Sequence, residues 1–308
     1  MLCLSITESY LRYFLISNGK INSIGRIDLG DKLDLKNKTA DKFYNDLSAV
    51  FSILSDQNSN LAKNLAIAIP SQWADFSIYK IDPDLTEKDK LEYFEWKNSQ
   101  KFGAKSTQNT YQYYPLESTS YENYLAIAYP TQLKNCLIKS ALGNNFTVDF
   151  IDIDIFSVLN SVQYSELNNN LDSYAIWSAS DNQNHAILTI KNGVVSNYIE
   201  INPSLPNNTI VKNALPLEQN LIDELKNIYN NDAGQSDLFS KIFMFSHNNT
   251  EFIQNVTQSS KNIIQVPNVL KIINAYDLDL ASQGKSINTT ASEYLDVLGL
   301  FIRGVNPK

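Results

Sequence analysis

The chain has 308 residues, 43% hydrophobic and 19% charged, which suits about two packed domains and excludes wholesale disorder. A net charge of −8 with scattered Lys and Arg gives no basic footprint for nucleic acid, so no nucleic-acid partner is expected. The two cysteines, Cys3 and Cys136, lie far apart, which excludes a disulfide scaffold and fits a reducing compartment.

Three short strands are predicted first, over about 2–6, 10–17 and 20–28, with Asn18-Gly19 as the hairpin turn between the last two. A helix over 39–55 starts at Thr39, whose hydroxyl can cap it, and places Phe43, Leu47, Val50, Phe51 and Leu54 on one face. Leu65 to Ile69 reads as a buried strand ending at Pro70. A strand near Phe76 to Tyr79 follows. Next come a helix opened by Thr86-Glu87-Lys88-Asp89, two strands at 109–117 and 122–130, and a helix at 131–142. A bridging helix is expected from Asp154 to Val162.

The opening order then returns. Strands are predicted at 173–180, 184–191 and 194–201, again with an Asn-Gly turn, Asn192-Gly193, between the last two. A helix at 217–231 and a strand at 242–245 follow, and a last helix runs from Ser292 to Arg303. A repeat this long indicates two equivalent α/β lobes with an insertion in the first, over about 70–150. The expected division is a first lobe at 1–165 and a second at 166–308, with a C-terminal helix at 289–304 able to return to the first lobe.

Several chemistries find no support. The two histidines, His185 and His247, leave zinc without its usual ligands. His185 is expected on a solvent-facing strand position and His247 in a polar loop. Nucleophile-elbow, Walker and Rossmann glycine motifs are absent from the sequence. Asp152 and Asp154 share one side of a strand end, a geometry open to acid–base chemistry, although Asp ahead of a helix more often caps it. No apolar run approaches the ~20 residues of a spanning helix, and the opening segment carries Glu8 and Arg12 within its apolar part, unlike a secretory leader. The expectation is a cytoplasmic protein without direct membrane insertion.

The organisation resembles the actin-like fold, a pair of ribonuclease H-like lobes, and within it the PilM family of type IV pilus and type II secretion platforms. The resemblance rests on Ala66-Ile67-Ala68-Ile69-Pro70-Ser71, the inserted helix Thr86 to Phe102, and Tyr124-Leu125-Ala126-Ile127-Ala128-Tyr129-Pro130. It also rests on Phe150 to Leu159 and on the closing Leu298-Gly299-Leu300-Phe301-Ile302-Arg303-Gly304. It implies a scaffold docked on the cytoplasmic tail of a PilN-like inner-membrane protein.

Departures from the family fall in its nucleotide loops. The first turn reads Ser5-Ile6-Thr7-Glu8-Ser9, the second Ser178-Ala179-Ser180-Asp181-Asn182, and the late loop Ser246-His247-Asn248-Asn249, all without the glycines that let backbone N–H groups approach phosphates. The expectation is a degenerate, pseudo-ATPase site with no cofactor and no metal. The alternative is ATP and Mg²⁺ held by Ser5, Thr7, Glu8, Ser178, Ser180, Asp181, Ser246 and Asn248, as in an actin-like ATPase or a sugar kinase. Glu8 and Asp181 could share the Mg²⁺ or be solvated turn carboxylates. Trp73, Trp96 and Phe102 could line a groove for the partner's tail or serve as core. Self-association into filaments is a third reading, because actin-like lobes can stack.

Overall fold

The computed structural model describes residues 1–305 apart from 18–19, 34–38, 58–62, 117–121, 181–183, 203–208, 218, 230–235, 237, 248–249, 260–262 and 276–290. The first lobe opens with β1 (Leu2–Ile6), β2 (Tyr10–Ser17) and β3 (Lys20–Asp28), then α1 (Ala40–Gln57) and β4 (Asn64–Ile69). Thr39 receives the Lys42 N–H at the start of α1, and the five apolar residues expected on its inner face are all buried. The insertion holds β5 (Asp75–Ile81), α2 (Glu87–Phe102), β6 (Asn109–Leu116) and β7 (Glu122–Pro130). Thr86 caps α2 by accepting from the Asp89 N–H. The chain then returns through α3 (Thr131–Gly143), β8 (Thr147–Ile153) and α4 (Asp154–Tyr164).

The second lobe contains β9 (Ser173–Ser180), β10 (His185–Lys191), β11 (Val194–Asn202), β12 (Thr209–Asn213) and α5 (Gln219–Tyr229). It continues with β13 (Lys241–His247), α6 (Thr250–Ser259), β14 (Ile264–Gln265) and α7 (Val269–Ala275), and α8 (Leu295–Val305) closes the chain. The first sheet runs β3-β2-β1-β4-β8 and the second β12-β11-β10-β9-β13-β14. Without β12 the two orders are the same. In each, the meander strands pair antiparallel and the strand after the crossover helix joins in parallel, as short hairpins and long crossovers require. Each second hairpin is interrupted two residues before its Asn-Gly, at Leu15/Ile16 and at Thr189/Ile190. Asn192 and Gly193 both take positive φ, 52° and 78°, as the two-residue turn demands. Asn18-Gly19 lies outside the described residues.

The insertion is narrower than the sequence suggests. Its sheet is β5-β7-β6, whereas α3 packs on α1 and β8 pairs with β4, so the chain rejoins the first lobe at Thr131 rather than near 150. The last helix crosses between lobes. The single 3-10 turn before it, Ala291–Tyr294, touches β13 and α7, while α8 itself lies on α4, β1 and β4 of the first lobe. One hydrophobic core runs through both lobes, from Leu4 and Ile67 to Tyr174 and Phe243.

Two histidine expectations need correction. His185 is wholly buried: Trp177 donates its indole N–H to Nδ1 at 3.1 Å, and the Phe252 ring lies edge-on at 4.8 Å. The alternation of β10 pointed it at solvent, but α6, which carries Phe252, covers that face of the sheet. His247 ends strand β13 rather than sitting in a loop.

Candidate functional site

The ends of β1 and β9 are the equivalent places where an actin-like protein would grip phosphates, and the first of them is closed by its own side chains. Thr7 Oγ1 accepts from the N–H groups of Ser9 and Tyr10 at 3.3 and 3.1 Å and donates to the Tyr10 carbonyl at 2.8 Å. A hydroxyl that closes its own turn in this way uses the backbone donors a phosphate would need. The Ser9 and Glu8 carbonyls take the N–H groups of Leu29 and Leu33, and the Glu8 side chain stays half-buried at the rim.

Beneath the turn lies a dry ionic cluster. Ser5 and Arg12 are directly opposed in the β1–β2 ladder, which puts both side chains on one face. Arg12 Nη2 reaches Asp296 Oδ2 at 2.6 Å and Ser5 Oγ at 3.0 Å, and Ser5 Oγ donates to the same carboxylate oxygen at 2.6 Å. Both charged side chains are fully buried. Burial works most strongly against the Arg12 charge, but the Asp296 carboxylate, together with Tyr10, Glu293 and Tyr294, more than offsets it and raises the guanidinium above its ordinary value. Tyr10 packs alongside under the Arg26 guanidinium, 3.9 Å from its ring centre, and burial pushes its phenol up to about 12.

At the second turn, Ser178 is buried and its Oγ has no partner among the described residues. Ser180 ends β9 and Ser246 lies near the end of β13, which brings their backbones together because β9 and β13 pair in parallel. Asp181 and Asn248 lie outside the described residues. Among those described, no cluster of three His, Cys, Asp or Glu is set to hold a metal.

Asp154 is the first residue of α4 rather than its cap, which is Ile153; its Oδ1 accepts from Ile155 N–H at 2.6 Å and from Ser71 N–H at 2.9 Å, tying the start of α4 to the turn after β4. Asp152 instead meets Arg303 Nη1 at 2.7 Å, so the strand end is joined to the last turn of α8.

The insertion creates two hollows against the first lobe. The larger, about 870 Å³, opens between the starts of α1 and α3 and the end of α2, and is lined by Tyr44, Asp75, Phe102, Lys105, Asn109 and Cys136 among others. The smaller, about 420 Å³, lies between the inner face of the inserted sheet and α4 and α8; Tyr114, Leu125, Ile127, Phe156, Ile302 and Arg303 mark its walls. β6 ties them together. Its first residue, Asn109, borders one hollow and Tyr114 and Leu116 border the other, while β7 is its one strand neighbour among the described residues.

The three aromatics singled out in the sequence occupy three different settings. Phe102 lines the larger hollow, 6.0 Å from Tyr111. Trp73 is half-buried and edge-on to Phe43 at 5.9 Å, packed on the main core. Trp96 is 52% exposed on the outer side of α2, beside Tyr93 and Lys97. Sequence reasoning missed Arg12, Asp296 and the Arg303–Asp152 pair as a linked system. The one available signal for Arg12 was a charge inside an apolar strand.

The two sheets of matching strand order and the insertion together define a two-lobed actin-like fold. Among solved structures, the PilM-PilN type IV pilus biogenesis complex matches with a TM-score of 0.69 and 11% identity, over 99% of this chain and 98% of that one. The likeness establishes the fold. Looser matches include the cytoplasmic domain of EpsL, an inner-membrane component of the Vibrio cholerae type II secretion system, at TM-score 0.45 and 9% identity over 84% of this chain and 93% of that one. Another is an inorganic polyphosphate/ATP-glucomannokinase from Arthrobacter sp. strain KM, at 0.42 and 7% over 98% and 97%. No protein-family model and no curated protein matches the chain.

Proposed function

We propose that this protein is a cytoplasmic, non-hydrolysing scaffold of an inner-membrane pilus or secretion platform, recruited by the cytoplasmic tail of a PilN-like membrane protein. The observation that carries the reading is the whole-chain likeness to the PilM-PilN complex, joined to an open edge strand flanked by two hollows. None of the helices in the described residues is long and apolar enough to cross a membrane, so attachment through a partner is the route the reading requires.

An extended tail laid along β6 would add main-chain hydrogen bonds at the sheet edge and send alternate side chains toward the hollows. Phe102 is the anchor at one end; Tyr114 and Leu116 flank the other. This recognition depends on groove shape and needs no phosphate chemistry. The reading therefore includes no bound nucleotide, consistent with a first turn in which the Ser9 and Tyr10 N–H groups are already taken by Thr7.

The test is calorimetric titration of the full chain with a peptide of the cytoplasmic tail of a PilN-like membrane protein from the same organism. Binding weakened about tenfold or more by Phe102→Ala, with Trp96→Ala near the parent value, is the expected result. Absence of binding to the parent protein would remove the docking function, and equal loss in both variants would move the site to the outer side of α2.

A further inference from the structure

Among the described residues the second sheet has one strand more than the first, and that strand carries a lysine aimed at the insertion. β12 is an edge strand with an alternating exposed pattern, and Val211 is 40% exposed, so its burial contributes little to the core. Lys212, by contrast, leaves the second lobe. Its Nζ lies 3.1 Å from the Gln72 carbonyl and 3.2 Å from the Ala74 carbonyl, the middle and the far end of the 3-10 turn where the chain departs from the first lobe. It also stands 3.3 Å from the Glu200 carboxylate and 3.9 Å from that of Asp75. An ammonium has three donors, and here it faces four oxygens contributed by both sides of the seam.

Two further contacts reinforce the same seam. Gln72 donates from Nε2 to the Asn184 carbonyl at 3.1 Å, and the Phe76 ring sits 3.9 Å from the ring of fully buried Tyr198. All three contacts join residues 72–76 to the β10–β12 end of the second sheet. Glu200, only 2% exposed, is held by Lys212 from one side and by Asn184 from another, so the cation also offsets a carboxylate that would otherwise be buried alone.

We propose that Lys212 is a latch. It fastens the base of the inserted subdomain to the second lobe, so that the insertion and that lobe move as one unit, and separation of the two begins with its release. β12 is the added strand that presents it. The latch does not depend on what docks at the insertion.

The test uses the full chain with spin labels on exposed positions, through Lys88→Cys in the insertion and Lys191→Cys in the second lobe; Cys3 and Cys136 are both buried. Pulsed electron-electron resonance should give one narrow distance distribution in the parent. Lys212→Met should broaden it or add a longer component, and Lys212→Arg should restore most of the narrow form. Hydrogen exchange at the amides of residues 72–76 should be about tenfold faster in Lys212→Met. An unchanged distribution and unchanged exchange would overturn the proposal, as would a lowered melting temperature without any change in distance. Should Lys212→Met not fold, Lys212→Gln, which removes the ammonium but keeps a polar side chain, must broaden the distribution for the latch to stand.

Discussion

The two lobes share a strand order and even the position of a bulge, yet the ends of their first strands are finished in opposite ways. In the first lobe, Ser5 is met by Arg12 from the next strand and by Asp296 from the final helix, 284 residues beyond Arg12. In the second, the corresponding Ser178 faces Ala186, and its hydroxyl has no partner among the described residues. Backbone geometry is dictated by hairpins and crossovers that both copies retain. Side-chain chemistry at the strand ends is not: one copy sets a buried charge pair beside its serine, while the other sets its buried serine opposite Ala186.

The comparison can be broken most severely at Asp296. Asp296→Ala leaves a buried guanidinium without its carboxylate and should cost about 3–5 kcal/mol in urea unfolding, whereas Ser178→Ala should stay within about 0.5 kcal/mol of the parent. Similar losses from the two substitutions would show that the lobes do not differ as described.

The next effect concerns the helix that delivers Asp296. A Cβ built on Gly299 would lie 1.7 Å from the Ser157 carbonyl oxygen, so α8 rests on α4 at a distance only glycine permits. Gly299→Ala should destabilise by about 3 kcal/mol through forced separation of the helices, with the loss read from the same unfolding curves. A neutral result would mean that α8 is not seated as described.

A smaller effect sharpens the account of the first turn. The Tyr10 phenol has a folded value of about 12 against an unfolded value near 10, so its neutral form is favoured by folding. That contribution is complete below pH 10 and is lost as pH rises toward 12, about 1 kcal/mol by pH 11. Tyr10→Phe should make the alkaline fall in stability shallower over that interval. An identical slope in the variant would place Tyr10 in contact with solvent.

What the sequence revealed follows from what is local. The Asn192-Gly193 turn, the Thr86 cap and the apolar face of α1 are signals contained within a few residues, and each marks an element in the structure. The elements it did not reveal are short or polar: five-residue β12 and two-residue β14 are too brief for a periodicity to stand out, and α6 opens beside the Asn-rich stretch 248–249. His185 was misread for the same reason, since α6 covers it. The candidate site was legible only as missing glycines. That Thr7 closes the turn and that Arg12 finds Asp296 are tertiary facts, set by a helix returning from the far end of the chain.

The central claim is that the first of the two strand ends, beyond β1, is closed by the protein's own Thr7 hydroxyl. Calorimetric titration of the purified full chain with Mg-ATP tests it most directly. The account predicts no saturable heat at ligand concentrations up to the millimolar range. Micromolar binding that is lost in Glu8→Ala or Asp181→Ala would contradict it and return the protein to the ATPases.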